Sequence, residues 1–169
     1  MEILFTSRPS MPASKLIMEL TGESVSHTVI RNGNFVYQSS FSGVEQVRTN
    51  DFLSKYTVGF SLCPSVYGRY RLNDDLVERL IERVVKLRGT PYDFPSLLYL
   101  GLRYSLFNAF KISIPKKNLW QVSGLFLCTE FVEDVIGINT DSMITPYKLY
   151  LKLKESGMWV DYAGSLYEK

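Results

Sequence analysis

Alternating apolar residues dominate the first third of the chain, and helically spaced ones dominate the rest. Residues 2–6 read as a short strand, and residues 7–12, with two prolines, as irregular chain. Residues 14–20 predict a short helix with Leu16, Ile17 and Leu20 facing inward, closed at Gly22. Residues 25–31 and 34–39 are β-like and flank Asn32-Gly33, the strongest two-residue hairpin signal. That loop sets Arg31 opposite Asn34, Val29 opposite Val36 and His27 opposite Gln38. A longer loop would bring Ser39 or Ser40 beside the histidine instead. Ser42-Gly43 turns the chain toward a further strand at 44–48. A short helix follows at 51–55, and 56–63 alternates enough to be a strand that Pro64 ends.

Residues 73–88 give the clearest surface helix, capped by Asn73, with Asp74 and Asp75 in its first turn and Gly89 past its end. Val77, Leu80, Ile81, Val84 and Leu87 form its expected inner stripe, while Glu78, Arg79, Glu82, Arg83 and Lys86 face water. Residues 96–110 read as a helix apolar nearly all round. Such a helix is buried, or covers a pocket, or meets lipid, in that order of weight. Residues 112–115 and 119–122 are short extended pieces. At 125–136, LFLCTEFVEDVI, an apolar run ends at Cys128 and three-and-four spacing takes over through Phe131, Val132, Val135 and Ile136, stopped by Gly137. Thr145 caps a last helix with Pro146 at its first position, Leu149 and Leu153 inward and Gly157 at its end. Residues 158–163 add a final strand. The order of elements is that of a single α+β domain spanning 1–169, in which an antiparallel sheet packs against helices.

Composition narrows the function. The chain is 46% hydrophobic and 21% charged, an ordinary globular balance, and its 14% aromatic content suits a packed core or a pocket with apolar walls. A formal charge of +2 gives no reason to expect nucleic acid or an anionic membrane as partner. Lys111, Lys116 and Lys117, and again Lys148, Lys152 and Lys154, read as solvated faces. Two cysteines and one histidine are too few for a zinc site of four Cys/His ligands, and no metal or other cofactor is expected. A Cys63–Cys128 disulfide is arithmetically allowed, but nothing indicates an oxidising compartment. The start, MEILFTSRPS, has no basic region followed by a long apolar core, so a cytoplasmic chain without a secretory signal is expected. No stretch has the roughly 20 apolar residues of a membrane span.

The candidate chemistry centres on Cys128. It falls in the first helical turn, on the face of Val132 and Val135, so its thiol is aimed inward. The positive helix end favours its thiolate; Glu130 opposes this but projects to another side. A lone buried cysteine is ordinarily a small hydrophobe, and a histidine beside an amide is equally well a satisfied structural residue. What separates the readings is a base in the right place. Cys63, in a strand with no helix end nearby, reads as structural. Cys128, His27 and Gln38 together make a thiol-hydrolase constellation: nucleophile, base, and an amide that fixes the imidazole and its tautomer. The main-chain N–H of Cys128 would help hold a developing oxyanion.

The sequence resembles the circularly permuted NlpC-type papain-like cysteine hydrolases, which include YiiX-like proteins and the lecithin:retinol acyltransferase group. The likeness runs through Thr21-Gly22, Ser26-His27, Val36-Tyr37-Gln38, Gly43-Val44 and Gly89-Thr90-Pro91-Tyr92-Asp93. It continues to Cys128-Thr129-Glu130-Phe131-Val132, where the family usually has Cys-Ser-Glu, and to Thr145-Pro146. As in the permuted group, the histidine strand precedes the cysteine helix. The resemblance implies a permuted papain-like fold, a sheet or half-barrel against the Cys128 helix. It also implies Cys128 as nucleophile, His27 as base, and Gln38 where many members carry Glu. Tyr92 matches a recurring tyrosine and is expected in the pocket wall. The implied activity is cleavage of an amide through an acyl-enzyme, on a peptide-like or peptidoglycan-derived substrate. An acyl-lipid substrate, cleaved or transferred as an ester, is the alternative, and a non-catalytic binding module is a third. The family occurs in bacteria and bacteriophages.

Overall fold

The computed structural model describes residues 1–65, 68, 75–115, 117, 119–138 and 143–162. Strand β1 (Glu2–Ser7) carries no face to water, since every residue in it is buried. Helix α1 (Pro12–Thr21) leads into β2 (His27–Asn32), β3 (Phe35–Ser40) and β4 (Gly43–Arg48). A short helix α2 (Thr49–Leu53) and β5 (Thr57–Pro64) follow. Then come α3 (Asp75–Leu87), α4 (Phe94–Phe110), α5 (Cys128–Ile136), α6 (Pro146–Glu155) and β6 (Trp159–Asp161). Among the described residues the strands form one sheet, in the order β4-β3-β2-β1-β5-β6, with every pair antiparallel. The expected α+β class with an antiparallel sheet is therefore observed.

Alternation along the central strands builds two cores. Leu4, Val29 and Val36 point to one face and meet Phe52 of α2. Ile3, Phe5, Ile30, Tyr37 and Leu62 point to the other, where Phe131 and Val132 of α5 and Leu149 and Leu153 of α6 cover them. Burying each of these large side chains contributes about 1.5–3 kcal/mol, so the α5–α6 face holds most of the packing. Helix α5 ends as its sequence requires, with Gly137 in the left-handed region at φ 73°. Thr145 caps α6, its hydroxyl accepting from the Lys148 N–H, with Pro146 next.

Several sequence expectations are displaced. The β2–β3 turn is Gly33-Asn34, not Asn32-Gly33, because Asn32 pairs with Phe35 and Arg31 with Val36. The pairing thus moves by two residues, which keeps every side chain on its expected face. Helix α2 starts at Thr49 rather than 51. In α1, Leu16 is 55% exposed rather than inward, because the helix buries Ser14 against Ser26, oxygen to oxygen at 2.5 Å. In α3 the buried row is Leu76, Leu80 and Val84, while Val77 and Ile81 are exposed. Arg83, expected in water, pairs with Asp134 of α5 at 2.8 Å, and that side of the helix turns toward α5. Helix α4 is not buried: only Ser96, Tyr99 and Leu100 are. Residues 112–115 and 119–122 form no strand. Asn73 and Asp74, Lys116 and Ala163 lie outside the described residues. Both cysteines are free thiols.

Candidate active site

The site forms where the sheet opens. Strand β2 keeps its ladder with β1 as far as Thr6 and His27, and β3 keeps its ladder with β4 as far as Ser40 and Gly43. Between β2 and β3 the ladder runs only from Asn32–Phe35 to Ile30–Tyr37. Beyond it, the chain entering α5 takes up the polar groups the ladder gives up. The Ser39 hydroxyl donates to the Phe126 carbonyl at 2.8 Å. The Thr28 main-chain N–H is directed at the Cys128 sulfur, where it favours the thiolate. Strand alternation sends the His27 side chain to the face of Val29, whereas the body of α5 packs on the face of Ile30. The thiol therefore lies by the Thr28 main chain, next in sequence to His27, while the imidazole projects to the other face of the strand.

His27 is held on two sides. Its Nε2 lies 2.8 Å from Gln38 Oε1. Its ring packs on Tyr56, centroids 5.6 Å apart, and Tyr56 stacks on Phe52 at 4.3 Å. The expected His27–Gln38 contact is thus present, although the two-residue shift makes it diagonal rather than directly opposed. Behind Gln38 stands Glu45, whose Oε1 accepts from the Gln38 amide at 3.0 Å and from the Ser40 hydroxyl at 2.6 Å. Sequence reading missed Glu45. A turn at Ser42-Gly43 would set Gln38 opposite Val47; the observed turn is Phe41-Ser42, with Ser40 paired to Gly43, and this brings Gln38 opposite Glu45. Burial lowers the pKa of His27, against smaller raising effects of Gln38 and Glu45, so the ring is neutral at pH 7.

Cys128 is buried at the first turn of α5, with 5% of its surface exposed. The helix end favours the thiolate as expected, but it does not set the protonation of the thiol. Burial pushes the thiol up to about 11, outweighing the Thr28, Thr129 and Cys128 N–H groups that stabilise the anion. Glu130 adds to the rise, as its charge is close enough to count. That carboxylate is kept nearby because it caps α5, accepting from the Leu127 N–H at 2.9 Å.

Tyr92 reaches the sulfur by a clamp between distant loops. Val44 N–H donates to Thr90 O at 3.0 Å and Gly89 N–H to Val44 O at 3.1 Å, and Tyr92 then bridges to Phe126. The approach requires Gly43, at φ 94°, because a Cβ there would strike the Thr90 carbonyl. This accounts physically for Gly43-Val44 and Gly89-Thr90 as a pair. The pKa of Tyr92 is raised first by burial and then by its neighbour Cys128. Asp93, next along, is fully buried as the cap of α4 and accepts from the Ser96 N–H at 2.9 Å.

Beside His27 and Tyr92 lies a cleft of about 40 Å³, lined also by Ser14, Ser26, Tyr56 and Phe41 among others, with neither Cys128 nor Gln38 in its lining. That is room for about one water. Phe41 closes it from the β3–β4 turn, packing on Tyr92 and Phe94 at 5.2 Å each. Two larger hollows border the cleft. An apolar groove of about 300 Å³ between α1 and α4 shares Ala13 and Ile17 with it. A polar trough of about 660 Å³ shares Met11, Ser40, Phe41 and Tyr56. Among the described residues no cluster of His, Cys, Asp or Glu could hold a metal ion, and no helix is long and apolar enough to cross a membrane.

Chemically, the site offers a buried, protonated thiol and a neutral imidazole on neighbouring stretches of chain, with main-chain donors around the sulfur. No protein-family model matches the sequence, and a search of curated proteins found no match either.

Proposed function

We propose that this chain is a cysteine hydrolase that opens an amide through an acyl-enzyme, with Cys128 as nucleophile and His27 as general base. The observation that carries this reading is the opening between β2 and β3. It sets the thiol against Thr28 while Gln38 occupies His27 Nε2, so the other ring nitrogen, Nδ1, remains to accept a proton. The step would run from the neutral pair. Nδ1 takes the thiol proton as sulfur attacks the carbonyl carbon, and the Cys128 and Thr28 N–H groups favour the oxyanion or the thiolate. The imidazolium then gives its proton to the leaving amine, and water releases the acid from the thioester. Because the cleft is nearly full, substrate must displace Phe41, the one exposed wall of its mouth. The reading is a permuted papain-like hydrolase domain, acting on a peptide-like or peptidoglycan-derived amide.

The apolar α1–α4 groove favours a second substrate class, an acyl lipid or other long-chain ester or amide, whose chain would lie along Ile17, Leu20 and Leu98. The elevated thiol favours a third reading, a binding module with an inert cysteine.

One experiment separates all three. A Cys63→Ser protein is incubated with a short peptide amide and a long-chain acyl ester, and the intact mass is read. An acyl adduct on Cys128, lost in Cys128→Ala and in His27→Ala, supports the hydrolase. The substrate that forms it decides between the first two readings. No adduct from either substrate, in folded protein, rejects both and leaves the binding module.

A further inference from the structure

Gln38 uses both ends of its buried amide: Oε1 lies 2.8 Å from His27 Nε2, and Nε2 donates to Glu45 Oε1 at 3.0 Å. An amide can face either way, and its ends differ only in which one donates. The carboxylate removes that ambiguity, because an ionised carboxylate only accepts. With Glu45 in place, the amide nitrogen must face Glu45 and the amide oxygen must face His27. That oxygen requires a proton on Nε2, so the neutral ring carries its lone pair on Nδ1. Glu45 is itself fixed, by the Ser40 hydroxyl at 2.6 Å and by lying opposite Gln38 in the β3–β4 ladder.

We propose that Glu45 is a positioning residue of this site, setting the tautomer of His27 through the Gln38 amide. It touches neither the thiol nor the ring. Without the carboxylate, Gln38 could turn over, present its NH₂ to Nε2 and drive the proton to Nδ1. On the reading of His27 as base, which this inference uses only for its consequence on turnover, that form of the ring cannot accept the thiol proton at Nδ1.

His27 is the only histidine in the chain, so the imidazole nitrogen NMR spectrum of ¹⁵N-labelled protein reports this ring alone. With the ring neutral, the wild type is expected to show one tautomer, protonated at Nε2. Glu45→Gln, whose amide donates as well as accepts, is expected to bring in a comparable population protonated at Nδ1. Glu45→Asp, which keeps a carboxylate, is expected to restore the single form. Where the hydrolase reading also holds, E45Q lowers kcat about tenfold with KM little changed, and E45D recovers part of the loss. An unchanged ring spectrum in folded E45Q overturns the inference whatever the activity. A shifted tautomer in a chain that forms no acyl adduct supports the inference and rejects the hydrolase reading instead. Should E45Q fail to fold, Ser40→Ala takes its place, since it removes one of the two donors that hold Glu45. A measurable Nδ1–H population then supports the inference, and an unchanged ring counts against it.

Discussion

Helices α5 and α4 are both rich in apolar residues, yet they end in opposite environments. In α5, seven of nine residues are buried, Phe131 and Val132 completely. In α4, three of seventeen are buried, and Leu98 and Phe110 are 66% and 70% exposed. The difference follows from what each helix can lie on. Helix α5 sits over the centre of the sheet, against Ile30, and has α6 beside it. Helix α4 meets no strand broadly; it leans on α1 and a small separate cluster around Tyr92 and Tyr99. Apolar character permits burial, and a facing surface decides it. The contrast bears on function: the helix that carries the thiol is locked into the core, and the helix that walls the neighbouring apolar groove has an open flank.

The contrast can be broken or sharpened by measurement. The largest effect is expected at the tip of α5. Cys128→Ala should lower any hydrolase activity at least about a thousandfold, which is more than 4 kcal/mol of barrier, with folding intact. Residual turnover near wild type would remove the thiol from the chemistry. Phe131→Ala should cost about 3–5 kcal/mol in denaturant unfolding, because α5 cannot close over the gap. In a Cys63→Ser background, alkylation of Cys128 at neutral pH should run about a hundredfold slower than that of a free thiol. Its rate should climb without a plateau until the pH nears about 11, the sense of a thiol raised by burial. The same shift predicts a loss of stability as pH rises through that range, because the folded chain holds the proton that the unfolded chain has released. A plateau near the ordinary thiol range would show the sulfur to be wetter or better stabilised than its burial implies. For α4, Asp93→Ala should cost about 1 kcal/mol through the lost cap. Phe110→Ala should change stability by less than about 0.5 kcal/mol. If Phe110→Ala matched Phe131→Ala in cost, the flank of α4 would be covered in solution and the comparison would fail.

How far these features could be read from the chain varies with their range. The extent of α5, its inner face and its stop at Gly137 follow from spacing within a dozen residues, and all are as expected. The cap and first proline of α6 follow in the same way. The hairpin fared less well. Asn32-Gly33 marks the turn correctly to within one residue, but the loop is Gly33-Asn34, and one residue in the loop moves every pair by two. Period-two alternation survives such a shift, which is why His27 and Gln38 still share a face and still bond. The inner stripe of α3 could not be fixed from its own pattern, since Val77 and Ile81 are as apolar as Leu76. The ion pair of Arg83 with Asp134, fifty-one residues away, accompanies the choice of face.

The sequence by itself determined the elements, the alternation of the strands, the helix ends and the residue types from which a thiol site can be built. Those are local quantities, fixed by backbone geometry and by residues a few positions apart. Only the tertiary structure decided that the β2–β3 ladder opens and that Gly43 lets the 89–93 segment carry Tyr92 to the sulfur. It alone decided that Glu45 stands behind Gln38. It also reversed the electrostatics of Cys128: a helix start favours a thiolate through nearby N–H groups, but the cost of removing that charge from water depends on everything packed around it, and here the packing is the larger effect.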